Sequence, residues 1–343
     1  MRKKNPIRSL ALSLLLAAGC AAPGYDWGFD PDAEEGVHGG VPVEWWYHWG
    51  FLTDETGGEW AWFSSFFRAH GQGLAARYLL HDLLDMKSGK SDYRSLLGSE
   101  VLTAWQLSSG KKSPEPPHGL IPGGMREKAG GPLDLKYGDA ALIRTGHRTW
   151  RLEAGGVDLQ LRATAPPMAV EGTGLTGLDK PDDMHYYTFP RLEAVGTVRG
   201  RKAKGLLWYD HQWGGSWVQQ TVGWSWWGVQ FDDGSNLNAV VIRDTKTGKV
   251  LKATATHDER VYALTARPTA HWTSPLGVRY PTAWELSAGP LRLRVEPYFP
   301  DREHPVLFGL EAIWEGPVRV TGSHAGRGFQ ELVGYPKDAR VTD

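Results

Sequence analysis

Apolar and polar positions along this chain alternate every second residue, in short segments punctuated by glycine, proline and aspartate, and that period predicts strands. Residues 44–51 set Glu44, Trp46 and His48 against Trp45, Tyr47, Trp49 and Phe51. Residues 60–69 set Trp60, Trp62, Ser64, Phe66 and Arg68 against Ala61, Phe63, Ser65 and Phe67, and a turn at 54–58 joins the two runs into a hairpin. A third strand is expected at 78–86, then a meander through 133–137, 141–145, 149–154 and 157–165. Residues 185–190 and 192–198 lead to residues 208–214, which pack an acid, an imidazole, an amide and three aromatic rings into seven positions. A second series follows at 223–231, a turn at Asp233-Gly234, 237–243, 261–267, 283–288, 291–297, 310–315 and 318–322. Residues 108–131 and 171–183 read as loops. Two successive meanders predict an all-β protein of two antiparallel units, dividing just after Gly215.

Composition sharpens this picture in one respect. The chain holds 17 Trp, 12 Tyr and 10 Phe beside 43 Gly and 22 Pro, more rings than two cores of this size require. Part of that excess is expected to line a ligand cavity, where stiff amphipathic rings are useful. Formal net charge is −1, so no basic surface points to nucleic acid.

The amino terminus reads as a targeting segment. Arg2, Lys3, Lys4 and Arg8 precede an apolar run, residues 7–18, that is too short to span a bilayer. Leu16-Ala17-Ala18-Gly19-Cys20 resembles a bacterial lipobox, which predicts a signal peptide over 1–19 and an acylated Cys20 followed by a tether to residue 36. The expected location is the bacterial cell envelope, facing the periplasm, on the outer rather than the inner membrane. Cys20 is the single cysteine, so no intramolecular disulfide is available.

Candidate chemistry centres on Trp208-Tyr209-Asp210-His211-Gln212-Trp213-Gly214. Alternation places Trp208, Asp210 and Gln212 on one face and Tyr209, His211 and Trp213 on the other. A carboxyl flanked by indoles in a cavity has its pKa raised by desolvation and becomes a proton donor; the plainer alternative ties Asp210 into a hydrogen-bonded barrel end. Glu44 is expected to pair with a buried cation such as Arg68. Gly172-x-Gly174-x-x-Gly177 matches a dinucleotide fingerprint in letters only, because no strand–helix context surrounds it. No Gly-x-Ser-x-Gly elbow and no histidine pair at helical i, i+4 spacing occurs, so neither a serine hydrolase nor a metal centre is expected. A glycosidase using Glu44 and Asp210, with tryptophan platforms, stays open.

Four motifs in order carry a family resemblance: Glu44-Trp45-Trp46-Tyr47, His185-Tyr186-Tyr187 with residues 190–196, residues 208–214, and Gly328-Phe329-x-Glu331-Leu332-x-Gly334-Tyr335. Together they resemble the AttH/carotenoid 1,2-hydratase family, over about residues 37–335. The resemblance implies two consecutive lipocalin-like (calycin-type) barrel domains, 37–215 and 216–343. It also implies cofactor-independent chemistry: water added across a terminal trisubstituted alkene in the carotenoid branch, cycloaddition assisted in fungal relatives. Other members accompany transport systems, so an ABC-type partner is also implied.

On that basis Asp210 is expected as the acid, with His185 or Glu44 placing water. Trp46, Trp208 and Trp226 would hold a cation through their π faces, and Tyr186, Gln212 and Arg68 would complete the substrate-binding set. Two readings follow from the sequence: an acid-catalysing enzyme acting on a hydrophobic, polyene or isoprenoid-like molecule, or a lipid-anchored carrier of such a molecule.

Overall fold

The computed structural model describes residues 30–71, 74–178, 184–215, 222–309 and 311–337. Cys20, the predicted signal peptide and the first part of the predicted tether lie outside the described residues.

Period-two alternation produces the strands it predicts. In Val157–Ala163, Val157, Leu159 and Leu161 are buried, while Asp158, Gln160 and Arg162 face outward. The first sheet contains fourteen strands and curls around a core that includes Trp62, Phe66, Trp150, Leu152, Phe189 and Tyr209. At its centre lie Val43–Asp54, Glu59–Gly71, Met184–Val198 and Arg201–Gly214. The second sheet has nine strands, all after residue 221. Its Leu291–Pro297 strand pairs with both Arg279–Ala288 and Glu311–Gly322, which closes eight strands into a ring around Trp227, Trp284 and Trp314. The protein is therefore all-β and lipocalin-like throughout, and the change of sheet falls between Gly214 and Val222.

The central strands of the first sheet are covered on both faces. Along Val43–Asp54 every residue except Trp45 and Thr53 is buried. One face lines the first core. The other, bearing Tyr47, Trp49 and Phe51, packs against Trp226, Val240, Ile242 and Phe329 of the second barrel. Gly228 permits this approach, since a Cβ there would lie 3.0 Å from the Trp49 ring and closer still to the Trp226 ring. Polar ties cross the same boundary. Gln230 donates to the carbonyls of Pro190 (2.7 Å) and Leu207 (3.0 Å), and Arg191 donates to Asn236 Oδ1 (3.0 Å).

Several sequence expectations need correction. Residues 32–36 belong to the first core rather than to a tether: Arg144 grips Asp32 at 2.8 Å, and Trp46 Nε1 donates to the Glu35 carbonyl at 3.2 Å. Trp150 Nε1 donates to the Glu35 carboxyl, so the segment satisfies two buried indoles. The strand Val250–His257 escapes the pattern because its small residues, Ala253 and Ala255, give little hydrophobic contrast. The predicted strands 310–315 and 318–322 are one element, Glu311–Gly322; Pro317 sits within the ladder, and its carbonyl accepts from Tyr298 N at 3.0 Å. A short helix, Leu102–Ser109, precedes the predicted loop, which itself contains two three-residue strands. Gly172, Gly174 and Gly177 all take positive φ in turns, as a loop and not a nucleotide-binding helix start requires.

Candidate active site between the two sheets

Ladder register decides which candidate side chains meet. Asp210 pairs with Tyr47 on one neighbouring strand and with Thr188 on the other, and residues directly opposite share a face. That face looks toward the second barrel. Trp208 Nε1 donates to Asp210 Oδ1 at 2.8 Å, and Tyr186 and Thr188 flank the carboxyl. The Tyr186 hydroxyl accepts from Asn238 Nδ2 of the second barrel at 2.9 Å.

Two further carboxyls reach this region from the second sheet. Glu315, on Glu311–Gly322, accepts from the Tyr47 hydroxyl. Glu331, on Gly326–Val333, accepts from Trp224 Nε1 at 3.0 Å. The two are ladder partners, Glu315 opposite Glu331, and Glu331 is in turn opposite Trp226. Burial raises all three acids, and repulsion from Glu331 adds to it at Asp210 and Glu315. Asp210 is pushed up to about 8 and Glu331 to about 7, while Glu315 rises well above the ordinary carboxylate range. None of the three forms an ion pair with arginine or lysine among the described residues.

The rings around this acid cluster are arranged edge to face. Trp226 stands nearly perpendicular to Tyr47 (5.9 Å between centroids) and to Trp208 (6.3 Å). Glu331 and Trp224 are half-buried, as are Trp45, Phe67 and Val222 packed on the same apolar cluster, whereas Asp210 and Glu315 are each only 2% exposed. Asp210 and Glu315 thus lie behind Glu331 and an aromatic rim. Chemically, the arrangement offers neutral carboxylic acid beside one carboxyl poised to ionise near neutrality, with indole faces close by.

Glu44, His185, Trp46 and Arg68 are not part of this cluster, which corrects the expectation that they act beside Asp210. Glu44 pairs with Trp213 and Trp46 with His211, so both are directed to the opposite face, inside the first sheet. His185 also pairs with Trp213 and stacks on it at 5.0 Å. Glu44 is ion-paired with Arg68 at 2.8 Å and bonded to His38 and His211, and the two histidines hold its carboxyl down at about 2 in spite of burial. Burial holds His185 down at about 4. Asp210, Trp208, Trp226, Tyr186 and Gln212 do share the interfacial face, with Gln212 Nε2 directed at Met184 Sδ (3.7 Å).

Sequence reasoning missed Tyr47, Glu315, Glu331, Trp224 and Asn238. Glu331 was within reach, because it lies in the terminal motif that carries the family resemblance. Glu315 had no such signal.

Comparison with known proteins agrees with this architecture. The AttH-like family profile matches residues 122–335. A crystal structure of an AttH-type protein from Nitrosomonas europaea superposes with a TM-score of 0.76 at 25% identity, covering 92% of this chain and 100% of its own. Kievitone hydratase from Nectria haematococca superposes with a TM-score of 0.68 at 18% identity, covering 91% of this chain and 94% of its own. No curated protein matches the sequence. The chain belongs to the AttH-like family, a class of paired lipocalin-like β-sheets.

Proposed function

We propose that this protein hydrates an alkene in a hydrophobic, isoprenoid-like molecule by cofactor-independent acid catalysis at the interface between its two sheets. The observation that carries this reading is a buried Asp210 carboxyl that accepts from Trp208 Nε1, has no cationic partner among the described residues, and shares the interface with the buried carboxyls of Glu315 and Glu331; burial raises all three toward the neutral acid. Resemblance to the carotenoid 1,2-hydratases supports the same class of reaction.

In the proposed step Asp210 donates its proton to the less substituted alkene carbon, breaking the π bond and leaving a tertiary cation. The faces of Trp224 and Trp226 stabilise that cation. Water adds to it, and its surplus proton passes to the Glu331 carboxylate and returns to Asp210, so the net change is alkene plus water giving alcohol. Glu315, neutral and bonded to Tyr47, keeps the cluster from holding a second negative charge. Acylation at Cys20 would keep the protein at an envelope membrane, near hydrophobic substrates.

The test incubates the purified protein with a prenylated phenol bearing a terminal trisubstituted alkene, and separately with its own co-purified lipid extract, in ¹⁸O-labelled water. The expected result is incorporation of one labelled oxygen per product, reduced at least about a hundredfold in Asp210→Asn, the upper part of the range of general-acid contributions being larger still. Glu331→Gln should lose the limb of the pH–rate profile that rises toward neutrality. Unaltered ligand bound equally by wild type and Asp210→Asn would overturn the proposal and identify a carrier.

A further inference from the structure

On the face of the first sheet turned away from the acid cluster, the segment before the first strand and the two central strands bring together His38, Glu44 and His211. We infer that these three residues bind a divalent cation of the zinc class, which fastens residues 30–38 to the inner face of the first sheet.

The inference rests on how each donor is aimed and held. His38 Nδ1 and His211 Nε2 lie 2.7 and 3.0 Å from the same oxygen, Glu44 Oε1, and the three donor atoms fall within 4.8 Å of one another. Every ligand then uses its remaining polar atom on a second partner. His38 Nε2 meets Glu34 Oε2 at 2.9 Å, His211 Nδ1 meets the Tyr187 hydroxyl at 3.1 Å, and Glu44 Oε2 accepts from Arg68 Nη1 at 2.8 Å. Imidazoles whose outer nitrogen is fixed by a carboxylate or hydroxyl, and a carboxylate whose outer oxygen is fixed by a guanidinium, form the supporting shell that metal centres use to set tautomer and direction. Two imidazoles and one carboxylate suit zinc and its neighbours, with water completing the coordination.

Burial strengthens the case. Glu44 and His211 are fully buried, and Trp213 and Trp46 cover the imidazoles, with Trp213 stacked on His38 at 4.2 Å and Trp46 on His211 at 4.9 Å. Arg68 is the cation facing the centre, and Glu44 and Glu127 offset it. Because His38 precedes the first strand while Glu44 and His211 sit on adjacent strands, a bound ion cross-links three parts of the chain.

The test dialyses the full chain, purified without added metal, against zinc chloride and then buffer, and counts metal by elemental mass spectrometry. Cobalt chloride is titrated in parallel to follow the visible ligand-field bands. About one equivalent per chain is expected, with a higher melting temperature for the loaded protein and slower protease cleavage before residue 43. His211→Gln and His38→Gln should abolish the cobalt bands, and Glu34→Gln should weaken zinc binding about 10- to 100-fold. His38→Gln lies on the half-buried segment, so it keeps the test decisive where the buried variant does not fold. Asp210→Asn, on the other face, should bind zinc as wild type does, which separates this proposal from the hydratase reading. Binding far below one equivalent, or binding unchanged in both histidine variants, overturns it.

Discussion

Asp210 and Glu44 are equally buried carboxyls with opposite fates, and the difference is electrostatic. Among the described residues no cation balances Asp210, and burial pushes it up to about 8. Glu44, equally buried, has an arginine and two histidines for partners and is held at about 2. These shifts have opposite consequences for stability. A carboxyl raised on folding contributes stability that is complete below its unfolded pKa of about 4 and is lost as pH rises through about 8. Glu44 contributes stability above its unfolded value that is lost as pH falls toward 2. Asp210→Asn removes the first dependence. Its melting temperature relative to wild type should therefore climb steadily between pH 5 and 8, following a slope of up to about 1.4 kcal/mol per pH unit. Thermal unfolding followed by circular dichroism across that range checks this, and a constant difference would refute the neutral-acid assignment.

At the scale of the element, strand geometry places the acids. Val43–Asp54 and Arg201–Gly214 each serve two environments because alternate side chains leave on opposite faces. That is why Glu44 and Asp210, both candidates on chemical grounds, end on different sides of one sheet. Gly326–Val333 fits beside Val222–Phe231 through a close backbone approach. A Cβ on Gly328 would lie 2.0 Å from the Gly228 carbonyl oxygen, which is fixed backbone and cannot yield. Gly328→Ala should therefore displace the strand that carries Phe329 and Glu331. The expected outcome is a loss of several kcal/mol, the size of other overpacking substitutions at about 1–3 kcal/mol or more, together with loss of turnover. Denaturant unfolding and the labelled-water assay read the two effects separately.

At the scale of the whole molecule, the site exists because two sheets share one aromatic interface. Phe329 of the second barrel stacks on Trp49 at 5.2 Å and meets Phe51 and Phe63 of the first at 5.8 and 6.4 Å. Truncating it should cost about 3–5 kcal/mol, as large aromatic deletions in cores do. Phe329→Ala is also expected to uncouple the two units, so that calorimetry shows two transitions where wild type shows one, while each sheet keeps its strand content. A single transition with unchanged midpoint would show that the interface does not hold the units together.

The amino-acid order alone determined the strand-rich class and the two faces of residues 208–214, because period two is a local property read from neighbours, and the cross-hairpin register of two alternating runs put Arg68 opposite Glu44. It also offered Asp210 as a candidate acid beside the alternative of a carboxyl tied into a barrel end. Tertiary structure decided the rest. Which face of Val43–Asp54 meets the second barrel, that Tyr47, Glu315 and Glu331 join Asp210, and that His38 reaches Glu44 and His211 all depend on ladder register and sheet packing between residues as much as 268 positions apart. Such contacts leave no periodic trace in the chain, since a strand's alternation is the same whichever partner covers each face.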